Sequence, residues 1–474
     1  MLYSFTKEKR IAGKARNFKD EKWETWTLPV GWPVQGIWAQ CYSEGDINAV
    51  DRNPNGDVLA SGDCFGKIKL FNYPCPNFNS SYNRFVGHSS NVTSVKFSFN
   101  GDYLYSVGGH DKTVLQWKVI KNRAENEYPE ENDPEIVQRN RDLDELNLED
   151  PEKCFFRTRA IDSKPDEPNP GLQQEINLAS PDEYNRLPKS QANSPDANLK
   201  IKYVFGYRCY DTRNSVKLTP KGNQMVFISG GLGVVMEQNP KRQSFFCQHE
   251  TDVVCIAIHP KLNICATGDM VNLDKNSNSQ KSSNLATIYV WNIETKNVVS
   301  CLRGFHINAV SHLTFSPDGN KLLSFGKDQD HSCAIYDWAN QRIIATIKID
   351  RDLVTDACFE GDNKFVTVGT KHIKFWTING GNVGSKKGRW NSKSEALVSV
   401  CICFGQKICC TGGINGRIFT WQNHVCTNNI IAHQDQPVRV LFNVKSILYS
   451  GGDDGRIKTW SFSNKFQANS EIIC

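Results

Sequence analysis

The sequence predicts an all-β fold of about eight repeated four-stranded units, and three observations carry the prediction. First, one pattern recurs: a small residue and Gly, a turn residue, then six positions on an aromatic that closes an alternating apolar run. It reads SVGGHDKTVLQW up to Trp117, TGGINGRIFTW up to Trp421 and SGGDDGRIKTW up to Trp460. Second, the closing tryptophans from Trp291 onward fall at positions 338, 376, 421 and 460, close to the roughly 40-residue period of a propeller blade. Third, Gly-His or Ala-His lies upstream of several copies, as at Gly87-His88 and Ala432-His433, followed by alternating runs and turns such as FSFNGDYL and FSPDGNKL. Together these predict a WD-repeat β-propeller: a seven- or eight-bladed ring, or parts of two propellers.

Taken in order, the first repeat is a degenerate copy, SGDCFGKIKLF, closing at Phe71, and the second closes at Trp117. A divergent repeat spans residues 207–235. The next closes at Trp291 and is interrupted by the polar insertion NLDKNSNSQKSSN, expected to be a loose loop. Trp338 closes a repeat with an insertion after Asp328, and VTVGTKHIKFW is a shortened copy ending at Trp376. Two full copies follow. Between the second and third repeats, residues 121–170 hold about 15 acids against 8 bases, with several prolines and no sustained period. Such composition predicts a disordered acidic linker, with a short helix near residues 142–148. The resulting division is 1–118 for two blades and an N-terminal extension, 119–200 for the linker and 201–474 for the remaining repeats.

The recurring polar residues have a structural purpose. The Asp accepts from backbone N–H groups in a tight turn, the His bridges it to a Ser on the neighbouring strand, and the Trp roofs the set, so that a buried polar group is satisfied. Three sets fit these roles: His88, Ser106, Asp111 and Trp117; His306, Ser324, Asp328 and Trp338; His433, Ser450, Asp454 and Trp460. A His/Ser/Asp set repeated in three blades with an aromatic in register reads as scaffold, not as three hydrolase triads. GDCFGKI has three residues between its glycines and Ile after its Lys, so it reads as a β-turn and not as a phosphate loop. No catalytic motif stands out; the expectation is a protein that is not an enzyme and that needs no cofactor or metal.

The chain of 474 residues carries 56 Lys and Arg against 51 Asp and Glu, so its formal charge of +5 is too mild to imply nucleic acid or a membrane surface. Its 17 cysteines are odd in number and form no Cys-x-x-Cys, which predicts buried free thiols in a reducing compartment. In the run holding Cys401, Cys403, Cys409 and Cys410, strand alternation places the first two on one face and splits the adjacent pair. No segment approaches the roughly 18 apolar residues of a membrane span, so a soluble intracellular chain is expected.

WTLPVGWPVQGIWAQ, GDINAV, FGKIKLFNYPC and GHSSNVTSVKF, then GYRCYDTRNSVKLTP, GLGVV and KHIKFWT, together resemble the echinoderm microtubule-associated protein-like family. GYRCYDTRN resembles that family's HELP motif, whose residues here are Gly206, Tyr207, Arg208, Asp211 and Arg213. The resemblance implies a structural joint, not a catalytic site. Tyr207, Tyr210, Val226 and Phe227 would supply its apolar area, and Arg208 or Arg213 would pair with Asp211. It also implies an order in which last-blade words come first, as in the tail of one propeller unit followed by a linker and the opening blades of the next. One ring closed by all the blades, or a piece of a longer chain, both fit that order. Implied function is non-catalytic binding of tubulin or microtubules in the cytoplasm and cytoskeleton, with axonemal organisation and other cytoskeletal or ciliary partners as extensions. Tubulin is acidic, so the basic residues Lys241, Arg242, Lys386, Lys387 and Arg389 are the candidate contacts, the last three in an expected loop, GSKKGR. A general protein-interaction adaptor with a different partner is the alternative.

Overall fold

The computed structural model describes residues 2–6, 9–13, 19–20, 23–38, 46–77, 80–121, 194–213, 215–271, 285–329, 331–350, 352–391, 394–403, 408–444, 446–461 and 467–473. Of the expected acidic linker 119–200, residues 122–193, with the short helix, lie outside the described residues, as does the polar insertion before Trp291; the linker's ends, 119–121 and 197–200, are strand and not linker. Among those described, eight antiparallel four-stranded sheets follow one another, with strands in simple sequential order in each. We number them blades 1 to 8: residues 47–86, 92–121 with 197–205, 216–246, 253–302, 310–348, 354–387, 397–431 and 438–473. No described helix is long and apolar enough to cross a membrane.

The chain divides into two compact bodies, Met1–Gly206 and Tyr207–Cys474. The first holds blades 1 and 2 and a small hairpin, Leu2–Thr6 with Lys9–Gly13. Blade 2 takes three strands from 92–121 and its fourth from Ala197–Phe205, which pairs along Val114–Lys121. Asn83 on blade 1 braces this late arrival, donating from Nδ2 to Pro195 O at 2.9 Å and Ala197 O at 2.8 Å. The GWPVQGIW stretch forms a short 3-10 helix, Trp32–Ile37. Its Val34 and Ile37 pack with Trp26 against Val50, Leu59 and Phe71 of blade 1.

Blades 3 to 8 make up the second body, and successive inner strands pack on one another from 216–218 through to 438–444. Apolar clusters form between neighbours; that between blades 3 and 4 stacks Trp291 on Phe246, ring centroids 4.6 Å apart. Alternation within a strand sends successive side chains into different clusters. Cys409 therefore joins the cluster shared with blade 6 and Cys410 the one shared with blade 8. Polar bonds also cross between inner strands: Thr355 Oγ1 donates to Leu397 O at 3.0 Å and Ser399 Oγ to Val438 O at 2.9 Å.

Candidate functional site

Strand register fixes one position in every blade. It is the residue on the second strand two places beyond the partner of the closing residue, which is aromatic in seven blades and Val234 in blade 3, and in all eight blades it bears a hydroxyl: Ser61, Ser106, Ser229, Thr267, Ser324, Thr367, Thr411 and Ser450. Each is 3% exposed or less. In blade 2, Ser106 Oγ accepts from Trp117 Nε1 at 2.8 Å and lies 2.7 Å from His88 Nε2, while His88 Nδ1 is 3.0 Å from Asp111 Oδ2. Blade 8 repeats the arrangement with Ser450, Trp460, His433 and Asp454 at 2.8 to 2.9 Å. Gly452 is required here, because a Cβ on it would lie 2.5 Å from His433 Nδ1.

Blade 5 departs from the expected set. Trp338 sits two residues past the closing position and donates from Nε1 to Gly319 O at 2.8 Å. Tyr336, paired with Leu322, stands in its place and bonds to Ser324, and burial pushes its phenol up to about 12. His306 Nε2 keeps Ser324 at 2.6 Å, but Asp328 turns to Ser332, accepting from its backbone N–H at 2.8 Å. His306 Nδ1 is thus left without a hydrogen-bond partner among the described residues, and desolvation lowers its pKa to about 4.

The sequence reading missed two further sets. Blade 4 joins His249, Thr267, Asp269 and Trp291 at 2.8 to 3.1 Å. The available signal was the 18-residue step from His249 to Thr267, which equals those from His88 to Ser106 and from His306 to Ser324. In blade 6 the acid and base exchange places: Asp350 precedes the inner strand, where His88 stands in blade 2, and His372 opens the third strand just past the turn. His372 Nδ1 lies 3.0 Å from Asp350 and its Nε2 2.6 Å from Thr367, which accepts from Trp376 at 2.9 Å. Burial acts to raise the Asp350 carboxyl, but Lys374 at 3.0 Å, the His372 bond and the Asp352 backbone N–H together outweigh it and hold the group well below its ordinary range.

At the joint, Gly206 takes φ 81°, a left-handed turn that a side chain would resist. The buried Arg208 that follows forks onto Asp211, Nε to Oδ1 at 2.8 Å and Nη2 to Oδ2 at 2.6 Å, and its Nη1 reaches Asp252 Oδ2 at 2.5 Å. Burial opposes the charge, and the two carboxylates more than compensate, raising the guanidinium pKa. Arg213 does not pair with Asp211; its Nη1 donates to Val398 O of blade 7 at 2.9 Å. Val226 and Phe227 are buried, whereas Tyr207 and Tyr210 are 50% and 44% exposed. Tyr210 instead lies over the Arg208 guanidinium, 5.1 Å from it.

All five basic candidates are exposed, and the fold separates them. Lys241 and Arg242 occupy the turn between the third and fourth strands of blade 3. Lys386 and Lys387 belong to the fourth strand of blade 6, Asn382–Lys387, so that stretch is a strand and not a loop. Adjacent strand residues face opposite ways, so the two lysines leave on different faces of the blade. Arg389 lies beyond, in a parallel bridge to Val425.

Two outcomes follow from these geometries. Because His306 is neutral when folded and takes a proton near pH 6.5 when unfolded, its contribution is intact above about 6.5 and lost as pH falls toward about 4. Urea titrations from pH 7 to pH 4 should show a loss that is smaller by about 3 kcal/mol in His306→Gln; equal losses would refute the assignment. Arg208→Ala should cost about 3 kcal/mol in the same measurement, since it removes the buried cation that Asp211 and Asp252 hold, and Arg208→Lys should recover only part, lacking the fork. A cost below about 0.5 kcal/mol would contradict a structural role.

Comparison with known proteins now adds to this geometry. The family model described as the echinoderm microtubule-associated protein first beta-propeller matches residues 242–473, that of the second beta-propeller matches residues 1–119, and the HELP motif matches residues 194–234. The second-propeller match therefore precedes the first in this chain. "Echinoderm microtubule-associated protein-like 1" of Homo sapiens is 27% identical over 307 residues, 60% of this chain and 37% of that protein. "Echinoderm microtubule-associated protein-like 2" of Homo sapiens is 26% identical over 287 residues, 57% of this chain and 42% of that protein. The "77 kDa echinoderm microtubule-associated protein" of Lytechinus variegatus reaches 44% over 112 residues, 24% of this chain and 17% of that protein. The chain thus matches less than half the length of these relatives. Among solved structures, the C-terminal WD40 domain of Sif2 is similar at TM-score 0.43 and 15% identity, over 56% of this chain and 73% of that one. By the matches of both propeller models and the HELP motif, which together span most of its length, the chain belongs to the echinoderm microtubule-associated protein-like family.

Proposed function

We propose that this chain is a non-catalytic scaffold that binds tubulin or microtubules, and that its blades present basic side chains to an acidic partner. The observation that carries the reading is the similarity to relatives named as microtubule-associated, which runs through 60% of the chain. The site chemistry supports it: the buried His, Asp and hydroxyl groups are spent largely on one another, as in a framework, while Lys241, Arg242, Lys386, Lys387 and Arg389 stand in solvent. Exposed charges of this kind steer association and lose strength as salt rises. On this reading the protein acts at the cytoskeleton, and axonemal microtubules are a further site of action. We also propose the division 1–118, 119–200 and 201–474 as blades, linker and HELP-led blades, with 119–121 and 197–205 lent to blade 2 as strand. The polar sets and the joint serve stability, and the five basic residues serve contact.

Co-pelleting of purified chain with stabilised microtubules over a salt series tests the reading, with gel filtration against soluble tubulin in parallel. Association that weakens with salt in either arm, and that weakens further on charge reversal at Lys386, Lys387 and Arg389, is the expected result. A folded chain that ignores both forms of tubulin would overturn it in favour of an adaptor for another partner.

A further inference from the structure

The row of inner strands in the second body curls back on itself, since Arg213, ahead of blade 3, bonds to Val398 on the inner strand of blade 7. Charged groups from these strands lie within electrostatic reach of one another. Asp356 of blade 6 acts on both Arg213 and Lys217, the latter on the inner strand of blade 3, and Lys217 also acts on His312 of blade 5. The carboxylates present are already engaged. Asp356 Oδ2 accepts from Val400 N at 3.0 Å, its Oδ1 accepts from Ala357 N at 2.9 Å, and His312 Nε2 lies 3.8 Å from Oδ1. Asp453, the other acid acting on Arg213, is taken by the Arg439 fork at 2.5 to 2.9 Å.

Arg213 and Lys217 are consequently left without an ion pair among the described residues, although both remain reachable, Arg213 exposed and Lys217 half-buried. Desolvation lowers the pKa of each, and Arg439 adds repulsion on Arg213. Two unpaired cations beside one engaged carboxylate leave about one positive charge to be met. A singly charged carboxylate meets it; a phosphate dianion would overcompensate. The guanidinium, anchored through Nη1, keeps further N–H donors for an incoming oxygen.

We propose that Arg213 and Lys217 form a carboxylate-binding site within the curl of inner strands in the second body, distinct from the exposed basic residues of blades 3 and 6. This inference goes beyond the tubulin reading and holds whether or not tubulin is the partner. Titration calorimetry of the full chain at low salt tests it, with octaglutamate, octaglutamine and free glutamate as probes. Octaglutamate should bind, octaglutamine should not, and Lys217→Gln should weaken binding by about tenfold or more. Lys217→Arg should stay within about threefold of native, which keeps the test open if the Gln variant fails to fold. Lys386→Gln should change binding less than about twofold. Binding of octaglutamate alone identifies an acidic peptide segment as the source of the carboxylate, and binding of free glutamate identifies a small molecule. If neither binds a folded chain, or if Lys217→Gln binds octaglutamate like the native protein, the site is refuted.

Discussion

A hydroxyl buried on the second strand is the point around which the polar chemistry of blades 2, 4, 5, 6, 7 and 8 is arranged. A buried hydroxyl without partners costs on the order of 1–3 kcal/mol, so each one demands company. In blades 2, 4, 6 and 8 the company is an indole N–H and an imidazole, and the imidazole in turn needs a carboxylate. One buried oxygen therefore dictates three further residue types. The requirement is for the bonds and not for a fixed order: blade 6 meets it with acid and base exchanged, and blade 5 uses a tyrosine where others use tryptophan. In blade 7, Trp421 still donates to Thr411 at 2.9 Å, while Trp390 packs edge-on against Trp421, 4.8 Å between centroids, in a set with no His among the described residues.

Much of this was legible in the sequence because it is local. Closing aromatics, turn residues and alternating runs lie within a dozen residues of one another, so eight repeats can be counted without coordinates. What resisted reading depends on register or on distant segments. Trp338 seemed to close blade 5, but pairing of Lys321 with Asp337 sets the register so that Tyr336 faces Ser324. His249 escaped because the insertion before Trp291 stretches its repeat, and Asp350 and His372 escaped because a search for His before Asp cannot find the reverse. The fourth strand of blade 2 comes from beyond the acidic stretch, and no local pattern announces that Ala197–Phe205 pairs with Val114–Lys121. Tyr207 and Tyr210 were expected in the core from their apolar area; the Arg208 fork draws the chain in at one residue and leaves its aromatic neighbours outside.

The opening of the second body follows the same logic as the blades. Arg208 is a buried cation held by Asp211 and Asp252, and its charge is supported by geometry where burial alone would oppose it. Such a clamp gives the divergent third blade a fixed start. Functional chemistry is then left to groups outside these closed networks. The exposed basic residues of blades 3 and 6, and the cations Arg213 and Lys217, carry charge that these networks do not consume, and it is there that the proposed acidic partners would be met.

The central claim is that a buried hydroxyl organises the polar set of a blade, and Thr367→Val tests it most directly. The substitution keeps the shape of the side chain and removes only the oxygen that joins His372 Nε2 and Trp376 Nε1. Equilibrium denaturation should show a loss of about 2 kcal/mol or more, because two buried groups lose their partner. A neutral or stabilising result would show that packing alone holds the set and would contradict the account.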